Sequence, residues 1–283
     1  RYTWLKKGVD AVTADSSIFS SENATVSLGV GKNMVNSIRH WCSVAGLIKT
    51  DKLRGSGFVP SELGKRIFSD NGFDPYLDDP ATLWLIHWKI ATNMNQATSW
   101  YWAFNINKDI QFDRNSFKQE MYEWVTHNNG SIRKASDNTL DRDINCFIRT
   151  YCQSRNNVGV IEESFDCPLV ELNLISELPE NQGYEFQRGE KVTLPIEIFT
   201  ATLIAFWVQR FNERDSLPFT DILNAPLSPG RIFKLDEDTM TLYLEKLDEM
   251  TEGAMHYDET ADLKQVYRHR DVNPMHLIER YNG

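Results

Sequence analysis

The sequence predicts a mainly α-helical protein, with an N-terminal winged helix-turn-helix followed by an α-rich body whose strands form only short β-hairpins. Three observations predict this. Apolar residues recur at helical spacing through most of the chain, and strict alternation is confined to short stretches. Two glycines, Gly29 and Gly31, mark a tight turn between two helical patterns. A basic, glycine-rich tip at 52–57 then sits between two short strand-forming runs.

Over 32–45, Val35, Ile38, Cys42 and Ala45 form one apolar face of a helix, and Lys32, Asn33, Asn36, Arg39, His40 and Ser43 cover the other. Gly46 is suited to stop that helix. Strands at 47–49 and 58–59 flank the tip, and Ser61 caps a helix over 62–68. Asp79-Pro80 is a cap followed by proline at the first helical position. The helix it opens, 81–91, is apolar nearly all round and therefore buried. His87 within it reads as a hydrogen-bonded core histidine, and the aromatic cluster at 99–104 reads as core ahead of a base-stacking surface. Further helices are predicted at 113–125, 140–153, 195–211, 219–223 and 239–251. Hairpins are predicted at 184–194, around Arg188-Gly189, and at 255–267; a turn and short strand are predicted at 228–234. The expected division is 1–70 winged helix-turn-helix, 71–215 helical body, and 216–283 helix-hairpin of winged-helix-like order.

Composition narrows the function. The chain has 283 residues, 25% of them charged, and four cysteines. It has no apolar run long enough to span a bilayer and too few cysteines for a disulfide framework, so a cytoplasmic protein with no membrane partner is expected. The opening at Arg1 instead of methionine leads us to expect a further segment upstream. No P-loop, G-x-S-x-G, H-E-x-x-H or C-x-x-C is found, which leaves no nucleotide or zinc signature. The net charge of −10 argues against nucleic acid until it is divided. Residues 1–70 hold ten Lys/Arg against six Asp/Glu, net +4, and the remainder carries −14. A basic module on an acidic body points to a polyanion partner for the first module.

The candidate DNA-binding residues are Lys32, Asn33, Asn36, Arg39 and His40 on the helix and Lys52 and Arg54 on the hairpin tip. Amide and cationic side chains on a helix suit base edges and phosphates of the major groove, and a basic hairpin suits the adjacent backbone. Arg231 and Lys234 are a second candidate phosphate patch, with acidic neighbours that fit a plain surface role equally well. For catalysis, Asp70, Asp74, Asp78 and Asp79 form the densest carboxylate group. Asp74 and Asp78 are its candidates for holding Mg²⁺ or Mn²⁺ and activating water. A capped, solvated loop accounts for the same residues. Asp166, Glu171, Glu185, Glu190 and Lys191 make a looser carboxylate–lysine set.

Five stretches carry a family resemblance: Tyr2-Thr-Trp-Leu-Lys-Lys-Gly8, Leu28-Gly-Val-Gly-Lys-Asn-Met-Val35, Asp74-Pro-Tyr-Leu-Asp-Asp-Pro-Ala-Thr-Leu-Trp-Leu85, Trp100-Tyr-Trp-Ala-Phe-Asn105 and Ser228-Pro-Gly-Arg-Ile-Phe-Lys-Leu-Asp236. Over nearly its whole length the chain resembles a bacterial family long classed as a domain of unknown function and encoded beside DNA phosphorothioation genes. That family includes the B, strand-nicking component of Ssp-type antiphage systems. The resemblance implies DNA as partner, a nicking endonuclease activity, and cooperation with sulfur-transfer and ATPase components. It assigns no catalytic residue. The alternative is a non-catalytic DNA-recognition, scaffold or regulator-like winged-helix protein.

Overall fold

The computed structural model describes residues 1–51, 57–127, 137–152, 167–260 and 263–281. In the N-terminal third the helices are α1 (Tyr2–Ala14), α2 (Ala24–Leu28), α3 (Lys32–Val44) and α4 (Glu62–Phe68), with strands β1 (Ile48–Thr50) and β2 (Phe58–Pro60) between the last two. Gly29 ends α2 in the left-handed conformation (φ 62°), and Gly46 follows α3 in the same region (φ 68°), where a Cβ would be strained. β1 and β2 pair antiparallel, with Ile48 opposite Pro60. Ser61 caps α4 by accepting the Gly64 N–H at 3.0 Å.

The centre is α5 (Pro80–Ala91), capped by Asp79 through the Ala81 N–H at 2.8 Å. Ten of its twelve residues are buried, as its all-round apolarity requires. α6 (Thr98–Tyr101) passes into a π-helical turn at Trp102–Ile106. That turn drives Asn105 inward, where its amide donates to the carbonyls of Ala91 (2.8 Å) and Tyr101 (3.0 Å) and its oxygen accepts the Leu227 N–H (2.7 Å). Trp100, Trp102 and Phe104 are buried, so the aromatic cluster is core.

β3 (Gln111–Phe112), α7 (Arg114–His127) and α8 (Asp137–Tyr151) come next, then β4 (Ile175–Glu177), β5 (Tyr184–Phe186) and α9 (Ile196–Phe211). The hairpin expected at 184–194 does not form. β5 instead lies between β3 and β4, antiparallel to both. Its alternation serves strands upstream of it, and the loop after it turns away so that the Gly189 N–H reaches the Lys234 carbonyl at 3.0 Å.

β6 (Ser216–Pro218), α10 (Phe219–Asn224), α11 (Pro229–Ile232), α12 (Glu237–Leu244) and α13 (Leu247–Met250) lead to the hairpin β7 (Met255–Thr260) and β8 (Leu263–Arg268). The strand expected after Ser228 is the single helical turn α11, because Ser228 accepts the Arg231 N–H and Pro229 occupies the first helical position. The helix expected over 239–251 is broken into α12 and α13. β6 joins the predicted terminal hairpin as a third strand, and α14 (Pro274–Tyr281), absent from the sequence reading, packs against α9. The protein is mainly α with small antiparallel sheets. No helix among the described residues is long and apolar enough to cross a membrane.

Candidate nucleic-acid interface

The position of α3 follows from its apolar stripe. Val35, Ile38 and Cys42 are buried, and α1 crosses them at Gly8, where a Cβ would lie 2.4 Å from the Cys42 sulfur and 2.9 Å from Ile38. Burying that stripe turns the opposite flank outward. Lys32, Asn33, Asn36 and His40 are exposed and Arg39 is half-buried. Among the described residues neither Lys32 nor Arg39 has a carboxylate ion-pair partner. Desolvation first, and the Arg39 charge second, hold His40 below its ordinary proton affinity, so it offers a hydrogen-bonding ring at neutral pH and not a charge. Lys7 donates to the Leu28 carbonyl at 3.1 Å, which ties α1 to the α2–α3 turn.

The hairpin is anchored at its return strand. Gly57 has φ 119°, and the Phe58 N–H donates to the Ser16 carbonyl at 2.8 Å. Lys49 is exposed on β1. Lys52 and Arg54 lie outside the described residues. Sequence reasoning missed two exposed apolar residues near this flank, Val26 (81% exposed) and Met34 (38%). The signal was there for Val26, since α2 buries Ala24 and Leu28 and leaves position 26 on its far side.

A cleft of about 1900 Å³ runs along α1, the hairpin and α4 and touches α3 at Ser43. Asp10, Asp15, Asp51 and Asp70 line it with Lys49 and Lys65, a charge balance unsuited to a phosphate backbone.

The aspartate group is engaged in shaping its own loop. Asp74 is buried, and its carboxylate accepts the N–H groups of Asp78 (2.8 Å) and Asp79 (3.3 Å). Asp79 caps α5 and also accepts the Tyr281 hydroxyl at 3.0 Å. Asp70 and Asp78 are exposed. Elsewhere Glu171 accepts the Tyr2 hydroxyl and Glu185 accepts the Gln111 amide at 3.0 Å. Lys191 donates to the Gln187 and Gly189 carbonyls, and burial pushes its ammonium down to about 8 against the opposing Asp236 charge. Asp166 lies outside the described residues. Among the described residues no three His, Cys, Asp or Glu side chains converge to hold a metal. Lys234 is not a surface residue. It is 7% exposed, and its ammonium donates to the Ala103 carbonyl at 3.1 Å. Arg231 is half-buried and donates to the Asn107 carbonyl.

Residues 1–281 match a family described as a protein of unknown function, DUF4007. The chain belongs to the DUF4007 family. No curated protein sequence matches it. Among solved structures, this DUF4007 fold is similar to a magnesium-bound SspB crystal structure, with TM-score 0.88 and 23% identity over 100% of this chain and 85% of that one. A second SspB crystal structure gives TM-score 0.87 at the same identity and coverage. The DUF4007 chain thus has the fold of SspB, in line with the resemblance carried by its motifs.

Proposed function

We propose that this DUF4007 protein is the DNA-binding component of a bacterial phosphorothioation-based antiphage system. It reads duplex DNA with α3 as the recognition helix of a winged helix-turn-helix, whose wing is the β1–β2 hairpin. The carrying observation is the cationic and amide flank of α3, turned outward by burial of its opposite stripe, whose Lys32 and Arg39 have no ion pair among the described residues. Helix, turn, helix and hairpin in this order suit major-groove entry with backbone contacts beside it. The likeness to SspB supports the system to which the chain is assigned.

The test is anisotropy titration of a labelled duplex over a salt series. Lys32→Glu with Arg39→Glu weakens binding by about 100-fold and flattens the log–log salt slope by about two, because each phosphate contact contributes about −0.9. Both residues lie on the outward flank, so the melting temperature stays within about 2 °C, as expected for surface changes. Unchanged affinity in the folded double variant refutes the reading.

Strand nicking is the finer part of the proposal, supported by the likeness to SspB, one structure of which carries magnesium. The aspartate group does not fit a Mg²⁺ or Mn²⁺ site as it stands. Both Asp74 oxygens are taken by backbone N–H groups and one Asp79 oxygen serves both the α5 cap and Tyr281, while Asp70 and Asp78 are exposed and do not converge with them on one point. That engagement favours a second reading, in which the protein recognises DNA and presents it to sulfur-transfer and ATPase partners without cutting. Supercoiled plasmid incubated with Mg²⁺ or Mn²⁺ separates the two. Open-circle product that is lost on Asp78→Asn identifies a nickase. Intact plasmid at protein concentrations that saturate the DNA identifies the recognition component.

A further inference from the structure

Carboxylates outnumber cations forty to thirty in this chain, so a group of cations with no acidic partner is unexpected. One such group is assembled where the loop after β5 meets the turn after α11. The Gly189 N–H to Lys234 carbonyl bond (3.0 Å) holds the two segments together and places Arg188, the residue before Gly189, close enough for its charge to act on Arg231 and Lys234. Among the described residues none of the three has an ion pair.

Each cation is held differently. Lys234 adopts a left-handed conformation (φ 53°) that sends its side chain inward. Its ammonium donates to the Ala103 carbonyl and sits 4.1 Å from the Phe186 ring centre and 5.3 Å from that of Phe104. Carbonyl and ring faces solvate a cation without neutralising it. Arg231 donates one terminal nitrogen to the Asn107 carbonyl, while its Nε is buried with no hydrogen-bond partner among the described residues. Arg188 is exposed. The nearby Asp236 caps α12 with one oxygen, accepting the Thr239 N–H at 2.9 Å, and faces Lys191; its other oxygen lies beside Gly189, yet it makes no ion pair with Arg188, Arg231 or Lys234 among the described residues. Burial lowers the proton affinity of Arg231 and of Lys234, and the Arg188 charge lowers both further. A buried donor left unpaired and like charges left uncompensated both cost stability. One negatively charged, acceptor-rich group taking donors from both guanidiniums relieves both costs.

We propose that Arg188 and Arg231, backed by the buried Lys234, form an oxyanion site for a phosphate group, separate from the α3 interface. Guanidiniums present paired donors that match phosphate oxygens. The phosphate arrives either as free phosphate or as part of a nucleic-acid backbone, and the chemistry of recognition is the same. This site does not depend on the α3 reading, because phosphate uptake is measured without DNA.

The experiment titrates inorganic phosphate into the full chain by calorimetry at constant ionic strength, with melting temperature read in parallel. Wild type takes up phosphate with a dissociation constant of about 1 mM or tighter, and 10 mM phosphate raises the melting temperature by about 3 °C. Arg188→Gln, a change at an exposed position, keeps the fold and lowers phosphate affinity at least about 10-fold, and phosphate no longer raises its melting temperature. Lys246→Gln, an exposed cation of neither group, leaves phosphate uptake unchanged. If Arg188→Gln also weakens duplex binding and lowers the salt slope by about one, the bound group is a backbone phosphate; if duplex binding is untouched, it is free phosphate. No saturable uptake by wild type, or equal uptake by Arg188→Gln, overturns the site. Neither result bears on the charge reversal on α3, so the two readings fail separately.

Discussion

His87→Ala destabilises the chain by about 3–5 kcal/mol, the range for deleting a fully buried ring. His87 has no exposed surface, and its ring centre lies 4.6 Å from that of Phe104, 5.4 Å from that of Tyr151 and 5.9 Å from that of Trp84. Its two hydrogen bonds fix a single tautomer. The Ile232 carbonyl can only accept, so Nε2 carries the proton and donates to it at 2.9 Å; Nδ1 then accepts the Tyr151 hydroxyl at 2.8 Å. Deleting the ring strands both partners in the core.

The same residue gives the stability a pH dependence of definite sign. Burial pushes the imidazole down to about 3. The Ile232 hydrogen bond opposes that shift and the Lys234 charge adds to it. An unfolded histidine takes up its proton near its ordinary 6.5, so between 6.5 and about 3 the unfolded state binds more protons. The contribution is therefore complete above pH 6.5 and is lost as pH falls, at up to about 1.4 kcal/mol per unit. Urea midpoints at pH 7.5 and pH 5 check both statements. The wild type loses stability over that interval, and His87→Ala, starting lower, loses less. Equal losses in the two proteins would show that His87 is not held neutral.

Gly64→Ala is the second large effect, and here two principles oppose each other. Alanine is the better helix former by about 1 kcal/mol, which by itself predicts a gain. A Cβ at Gly64, however, would stand 2.1 Å from the Leu47 carbonyl oxygen and 3.0 Å from its carbon, both rigid backbone atoms. That collision costs about 3 kcal/mol, at the upper end of the overpacking range, so the net change is destabilising by about 2 kcal/mol. The neighbourhood cannot give way cheaply. Ser61 donates its hydroxyl to the Gly46 carbonyl at 2.6 Å, and its N–H goes to the Leu47 carbonyl at 2.8 Å. Displacing α4 therefore disturbs the corner from which β1 leaves α3. Gly31→Ala is the control: φ is −67° and nothing lies within 4 Å, so it melts like wild type. A Gly64→Ala protein as stable as the Gly31→Ala one would remove the steric argument.

What could be read in the sequence is what local chemistry determines. The bounds of α3, the Ser61 and Asp79 caps, the burial of α5 and the interior role of His87 each follow from a pattern within about a dozen residues, and each is found. What was misread depends on distant partners. The alternation at 184–194 promised a hairpin, but nothing local states that β5 pairs with β3, more than seventy residues upstream. Arg231 and Lys234 sit beside Asp236, Glu237 and Asp238 and read equally as an exposed phosphate patch or as plain surface; a positive φ at residue 234, visible only in the folded chain, turns the lysine inward. The α3 flank was legible because amphipathicity states both faces at once. Arg188 was noticed only as a turn residue, since its neighbours Arg231 and Lys234 are brought to it by one long-range backbone bond.

The π-helical turn at Trp102–Ile106 fixes the chain's length at that point. A widened turn accommodates one residue more than an α-helix would, and that surplus rotates Asn105 onto Ala91, Tyr101 and Leu227. Homologous chains can exchange side chains there but cannot gain or lose a single position without unlocking three segments together. Insertions and deletions accumulated during divergence must therefore fall elsewhere.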